Sequence, residues 1–230
     1  CFFNEYVFIQ SNKESKLVIA LKKIIEKDQK INDLKIAVLG CYVPLHTCNK
    51  ITKRLINYKS KKPLFNDLIN MQVNEPLQEK ELINSIKSLG KISNVTSKKV
   101  RDQYEKNPYP RWRYIYKNLP VNSQAILKNQ IKPNKIKFKN KFDNPDILVA
   151  GCGTGKNIFK AANYLNANIL GVDLSRTSLA YAKRKIEESG LKNIDFMHAD
   201  ILELKNLEKK FDIIECAGVL HHMKDPLRGL

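Results

Sequence analysis

Residues 146–175 read DILVAGCGTGKNIFKAANYLNANILGVDLS, and the changes of texture inside them decide the fold. Ile147 to Ala150 is a short apolar run that stops at a glycine-rich turn, Gly151, Gly153 and Gly155. The stretch after it sets Ile158, Phe159, Ala161, Ala162 and Leu165 at helical spacing. A second apolar run, Ile169 to Val172, closes on Asp173. The order is strand, tight turn, helix, strand.

Working outward, Ser175 is placed to cap a helix that runs to Gly190 with Leu179, Ala182 and Ile186 facing inward. Ile194 to His198 predicts a third strand, ending near Asp200, and Phe211 to Glu215 a fourth. Such alternation predicts an α/β, Rossmann-like, doubly wound domain over 146–230: a parallel sheet with helices on both faces, whose ligands bind beyond the carboxyl ends of the strands.

Upstream the texture is helical. Leu17, Val18, Leu21, Ile24 and Ile25 form one apolar stripe, and Leu34 to Val43 is a nearly continuous apolar run read as a buried helix. Leu82, Ile83, Ile86 and Leu89 predict another helix, with Gly90 as its left-handed cap. Residues 1–99 are therefore expected to form a mainly helical region with no repeat of fixed period. Residues 100–145, polar, lysine-rich and spaced by Pro120, Pro133 and Pro145, are expected to be a linker and covering segment.

A formal net charge of +18 invites an anionic partner such as nucleic acid. Only seven of the 41 basic residues are arginine, however, in a chain rich in Lys, Asn and Ile, the residues of AT-rich codons. The charge is thus a weak partner signal. Five cysteines, Cys1, Cys41, Cys48, Cys152 and Cys216, contain no C-x-x-C pair, which fits a reducing cytoplasm, and no metal site is expected. No apolar run reaches the roughly 18 residues of a membrane span. The chain opens on Cys1 and stops at Leu230 where a helix is expected to begin, so a fragment is expected.

The turn VAGCGTGKN departs from a dinucleotide-binding turn, because Lys156 stands where the last glycine belongs. It departs from a phosphate loop at Ala150 and Asn157. Asp173 is placed to accept hydrogen bonds from ribose hydroxyls or to cap the next helix. Asp200 can take an adenine amino group or act as a cap, with Ile201 against the ring. Ala217 and Gly218 leave room beside a reactive centre.

Taken in order, VAGCGTG, GVDLS, HAD and FDIIECAGVLHHMKDP resemble class I S-adenosylmethionine-dependent methyltransferases of the common bacterial type. The resemblance implies that Gly151, Cys152, Gly153, Thr154 and Gly155 line the methionine part of S-adenosylmethionine. It assigns Asp173, with Leu174 beside it, to the ribose, Asp200 and Ile201 to the adenine, and Cys216, Ala217 and Gly218 to the border of the sulfonium. Residues 100–112, VRDQYEKNPYPRW, resemble a segment that precedes this domain in bacterial methyltransferases often associated with tetratricopeptide repeats. In that reading Tyr104, Tyr109, Arg111 and Trp112 cover the cofactor or shape the substrate entrance; aromatic packing of a helix onto the domain is the alternative.

Methyl transfer needs alignment more than acid–base help, so catalytic residues stay unassigned, with His221 and His222 as candidate bases. Complete members carry three further strands, and the sequence as it stands is expected to be poorly active. The acceptor is expected to be a small molecule or a protein side chain. RNA methylation and a non-catalytic module binding a protein through the helical region are the alternatives.

Overall fold

The computed structural model describes residues 9–114, 119–138 and 142–229; Cys1 and Leu230 lie outside the described residues. The chain divides into two compact units, Cys1–Gln78 and Glu79–Leu230.

The first unit is helical. Helix α1 (Asn12–Lys27) starts at a capping box in which Ser11 and Glu14 satisfy each other's backbone N–H groups. It is followed by α2 (Asp33–Gly40), α3 (Asn49–Leu55) and α4 (Pro63–Ile69), then a π-helical turn at Asn70–Asn74 that continues into α5 (Glu75–Ile83). The run that begins at Leu34 is helical as far as Gly40 and turns at 41–43, with Ile36 and Leu39 in a core shared with Ile25, Leu45, Ile51 and Leu55. The π turn sets Gln72 in that core at 1% exposure. There its amide donates to the Gly40 carbonyl at 2.8 Å and accepts the Leu45 N–H at 3.0 Å, so a buried polar group is satisfied at both ends.

The second unit contains β1 (Lys87–Ser88), α6 (Val95–Lys106), α7 (Ser123–Gln130), β2 (Asp146–Ala150), α8 (Lys156–Ala161), β3 (Asn168–Asp173), α9 (Arg176–Ser189), β4 (Ile194–His198) and β5 (Ile213–Glu215). The strands form one five-stranded parallel sheet in the order β1-β4-β3-β2-β5. Its centre is buried on both faces, and the strand period of two divides the side chains. Ile147, Val149 and Ile169 join Ile158, Phe159, Leu179 and Ile186 of α8 and α9. Leu148, Ala150, Leu170 and Val172 face the other way, toward Leu204, Leu207 and Phe211. A 3-10 segment, Ile201–Asn206, belongs to that second face.

Three expectations are corrected. The stripe Leu82 to Leu89 is not one helix: α5 ends at Ile83, Ile86 enters the sheet core, and Lys87–Ser88 pair with Met197 and His198 as β1. Pairing with β4 overrides the local helical spacing, and Gly90 (φ +62°) follows a strand. The prolines of 120–145 bracket α7, whose Ile126 and Leu127 pack on the sheet core, while Val121 bridges Tyr164. The boundary between compact units therefore falls at Gln78–Glu79, well before 99, because β1, α6 and α7 are built onto the α/β unit. Among the described residues no helix is long and apolar enough to cross a membrane.

Candidate cofactor site

Strands β3 and β4 lie on one side of β2 and β5 on the other, so the loops after β2 and β5 diverge at the carboxyl edge of the sheet. A crevice forms at such a switch point. Here it is a cavity of ≈ 580 Å³, within the range of small-molecule sites.

Its floor is the glycine turn. Gly151 and Cys152 donate their N–H groups to the Val172 carbonyl at 2.7 and 2.9 Å, fastening the turn to β3. Gly153 then donates to Asp173 Oδ2 at 2.8 Å, and Ser175 N–H donates to Oδ1 at 2.9 Å. Asp173 thus braces two turns at once, and each oxygen keeps lone-pair capacity toward the cavity it lines. Burial raises its pKa against the lowering pull of those N–H groups, and the nearby Glu105 charge raises it further. The Cys152 thiol beside it is pushed well up, first by burial and then by Asp173, so it is a packing group rather than a thiolate.

The turn's three glycines do different work. A Cβ on Gly151 would lie 2.0 Å from Val219 Cγ2, and one on Gly155 would lie 2.9 Å from Ala182 Cβ. A Cβ on Gly153 would meet nothing within 4 Å, and neither would one on Gly218 after β5. Both of these residues have positive φ and line the cavity, leaving open space where side chains would stand. Asp200, 3% exposed, accepts the Leu202 N–H at 3.1 Å and forms the wall with Ile201 and Leu202.

The opposite wall comes from upstream. Ser97, Val100 and Tyr104 of α6 line the cavity, as do its N-cap Asn94 and, beyond the helix, Tyr109 and Pro110. Thr154 Oγ1 donates to the Pro110 carbonyl at 2.7 Å, and Trp112 Nε1–H donates to the Thr154 carbonyl at 3.0 Å. His198, half buried, supports the edge from behind: Nε2–H donates to the Leu174 carbonyl at 2.9 Å, which leaves Nδ1 to accept from Ser88 Oγ at 3.0 Å. Burial, then the Arg176 charge, lowers its pKa and favours this neutral form.

Of the residues singled out from sequence, Gly151, Cys152, Gly153, Thr154, Asp173, Leu174, Asp200, Ile201, Ala217, Gly218, Tyr104, Tyr109 and His222 all border this one cavity. Five do not. Gly155 is a contact point between α8 and α9. Cys216 packs toward the second core, where burial raises its thiol pKa. Arg111 turns to Glu79 at 3.1 and 3.2 Å and covers the Tyr181 ring at 4.6 Å. Trp112 packs edge-on against Phe159 and Tyr181 at 5.1 and 5.7 Å. His221 is exposed and outside the cavity, its ring 4.0 Å from that of His222. Asn94, the N-cap of α6, and Ser97 and Val100 within it were missed, because nothing in a polar helix marks which face a distant sheet edge will meet.

Residues 147–229 match the protein family described as Methyltransferase domain. This part of the chain carries a methyltransferase domain. The chain is 32% identical over 140 residues to an uncharacterized protein of Rickettsia prowazekii, an alignment covering 60% of this chain and 24% of that one. It is 30% identical to a ubiquinone biosynthesis O-methyltransferase of Actinobacillus pleuropneumoniae, with 55% and 54% covered. It is 26% identical to a tRNA U34 carboxymethyltransferase of Nautilia profundicola, with 79% and 62% covered. The chain thus spans only part of the length of these relatives.

The walls of the methyltransferase domain suit S-adenosylmethionine in chemistry. A half-buried carboxylate with acceptor capacity toward the cavity, a second acid beside an aliphatic wall, and two glycines opening onto the space offer what a ribose, a flat purine and a close-lying chain require.

Proposed function

We propose that the methyltransferase domain transfers the methyl group of S-adenosylmethionine to an acceptor that is a small molecule or a protein side chain. The observation that carries this reading is the half-buried Asp173 carboxylate on the wall of the sheet-edge cavity, clamped to the glycine turn. Asp173 with Leu174 would hold the ribose, Asp200 and Ile201 the adenine, Gly151 to Thr154 the methionine part, and Ala217 and Gly218 the space beside the sulfonium. The bound cofactor supplies an activated methyl carbon and leaves as the thioether. The chain's own task is alignment and exclusion of water. Where the nucleophile carries a proton, His222 is the cavity-lining group placed to receive it. The acceptor reading is supported by Glu215–Gly218, which lack the Asn-Pro-Pro-Tyr type of motif. The same reading puts the protein in the cytoplasm, where the described cysteines, all free, stay reduced.

RNA methylation is the second reading, supported by the net charge of +18 and by the name of the Nautilia relative. It requires RNA binding that weakens steeply with salt.

Calorimetric titration of S-adenosylhomocysteine and of NAD separates the cofactor reading from its rivals. S-adenosylhomocysteine is expected to bind and NAD not to. Asp173→Ala is expected to weaken the former at least about a hundredfold, because it removes hydrogen bonds to a charged acceptor worth about 1.5–3 kcal/mol each. Binding of neither ligand would overturn the catalytic reading and favour a partner-binding module.

A further inference from the structure

The α6 wall of the cavity is fastened to the sheet edge by a side chain to which the sequence reading gave no role. Glu105 follows the lining Tyr104 and turns its carboxylate to the start of α9. Its Oε1 accepts the Arg176 N–H at 2.7 Å and its Oε2 accepts the Thr177 N–H at 3.2 Å. Thr177 Oγ1 returns the contact, donating to the carbonyls of Tyr104 and Glu105 at 3.2 and 3.0 Å. The first N–H groups of a helix have no partner within it, and a carboxylate there gains both charge-assisted hydrogen bonds and the favourable end of the helix dipole. Ser175 Oγ takes the next N–H, that of Ser178, at 3.1 Å. Two of the three caps on α9 therefore come from a residue 71 and 72 positions upstream. The capped groups begin two residues beyond Leu174, which with Asp173 lines the cavity.

We propose that Glu105 is a positioning residue of the cofactor site, holding the α6 wall and the turn that carries Asp173 in fixed relation. The proposal rests on the reading of the cavity as the S-adenosylmethionine site. Glu105 does not line the cavity and acts through Asp173 and Tyr104, which do. It has an electrostatic side as well. Asp173 is faced by the Glu105 carboxylate from α6 and by the Cys152 thiol from the glycine turn, and its own carboxyl pKa is raised by burial and by Glu105. Binding of a ribose to the ionised carboxylate must fail on acidification as Asp173 gains a proton. Removing the Glu105 charge lowers the Asp173 pKa and moves that failure to lower pH.

The test compares Glu105→Gln, Glu105→Ala and, on the same helix, Arg101→Ala, measuring S-adenosylhomocysteine affinity against pH and amide hydrogen exchange of residues 173–177 without ligand. Glu105→Ala is expected to weaken binding about tenfold at neutral pH and to speed the exchange of the Arg176 and Thr177 amides. Glu105→Gln, which keeps the size and one acceptor, is expected to weaken binding less and to shift the acid limb downward. Arg101→Ala should do neither. An affinity loss with an unmoved acid limb and unmoved exchange would overturn the proposal by reducing Glu105 to general stability, and wild-type behaviour of both variants would also overturn it. If Glu105→Ala does not fold, Glu105→Gln carries the test alone. Should the unmodified protein bind no S-adenosylhomocysteine, the cofactor reading fails and this proposal with it, whereas wild-type binding with indifferent variants removes the proposal alone.

Discussion

The two walls of the cavity are built by different routes. One consists of β2, β3 and the short turns that follow them, and nearly every bond in it joins residues close in sequence or paired in register: Gly151 and Cys152 to Val172, Gly153 to Asp173, Ser175 to Asp173. The other consists of α6, Tyr109 and Pro110, backed by Trp112, and its bonds span long distances along the chain: Pro110 to Thr154, Trp112 to Thr154, Glu105 to Arg176. The first wall is specified by backbone requirements that only certain residues meet. The second is specified by side chains with many possible partners, and its stability depends on packing.

The largest expected effect breaks the second wall. Trp112 fills the space between Phe159 and Tyr181 and holds the Thr154 carbonyl, so Trp112→Ala should cost about 3 kcal/mol or more and lower the melting temperature accordingly. Trp112→Phe, which loses the N–H but keeps most of the ring, should cost about 1 kcal/mol by the same measurement.

Next comes a contrast within the first wall. Gly155→Ala drives a Cβ against Ala182 at a φ of +92°, and should destabilise by about 2–3 kcal/mol in chemical denaturation. Gly153→Ala meets open space at φ +52° and should cost only about 1 kcal/mol of backbone strain, yet it should weaken S-adenosylhomocysteine binding strongly because its methyl group enters the cavity. Equal effects of the two on stability and on binding would mean that the glycines share one role, contrary to the geometry.

Acid separates binding from folding. The Asp173 carboxyl pKa is raised in the folded protein. The folded state therefore takes up its proton more readily than the unfolded chain does, so this residue costs stability above the folded pKa and the cost disappears as pH falls through it. Ligand binding has the opposite sign, since it needs the ionised acceptor. Titration should show S-adenosylhomocysteine affinity falling at a pH where an ordinary aspartate is still ionised, with no loss of fold attributable to Asp173. The smallest effect is expected at Arg101, whose pair with Asp102 at 2.7 Å is solvent-exposed; Arg101→Ala should change stability by less than about 0.5 kcal/mol.

The same division explains what could be read from the sequence. Strands β2 to β5, the helix from Arg176 to Ser189 and the glycine turn were legible because periodicity, a serine cap and a left-handed glycine each act within a few residues. β1 was not legible, because Lys87 and Ser88 become a strand only through β4, and the apolar residues around them imitate a helix. Gly155 and Cys216 sit at motif positions, but the packing of α8 on α9 and of Cys216 into the second core draws them away from the cavity. Arg111 shows the limit of a local reading, since its partner Glu79 lies 32 residues upstream. Glu105 carried no signal, for a carboxylate at the end of a polar helix is ordinary until the start of α9 is placed beside it.

The most direct test of the account is a crystal structure of the protein with S-adenosylhomocysteine bound. The account predicts the ligand in the cavity between the glycine turn and α6, with its ribose hydroxyls on the Asp173 carboxylate and its adenine beside Asp200 and Ile201. A ligand seated elsewhere, or a cavity in which Asp173 makes no contact with it, would contradict that prediction.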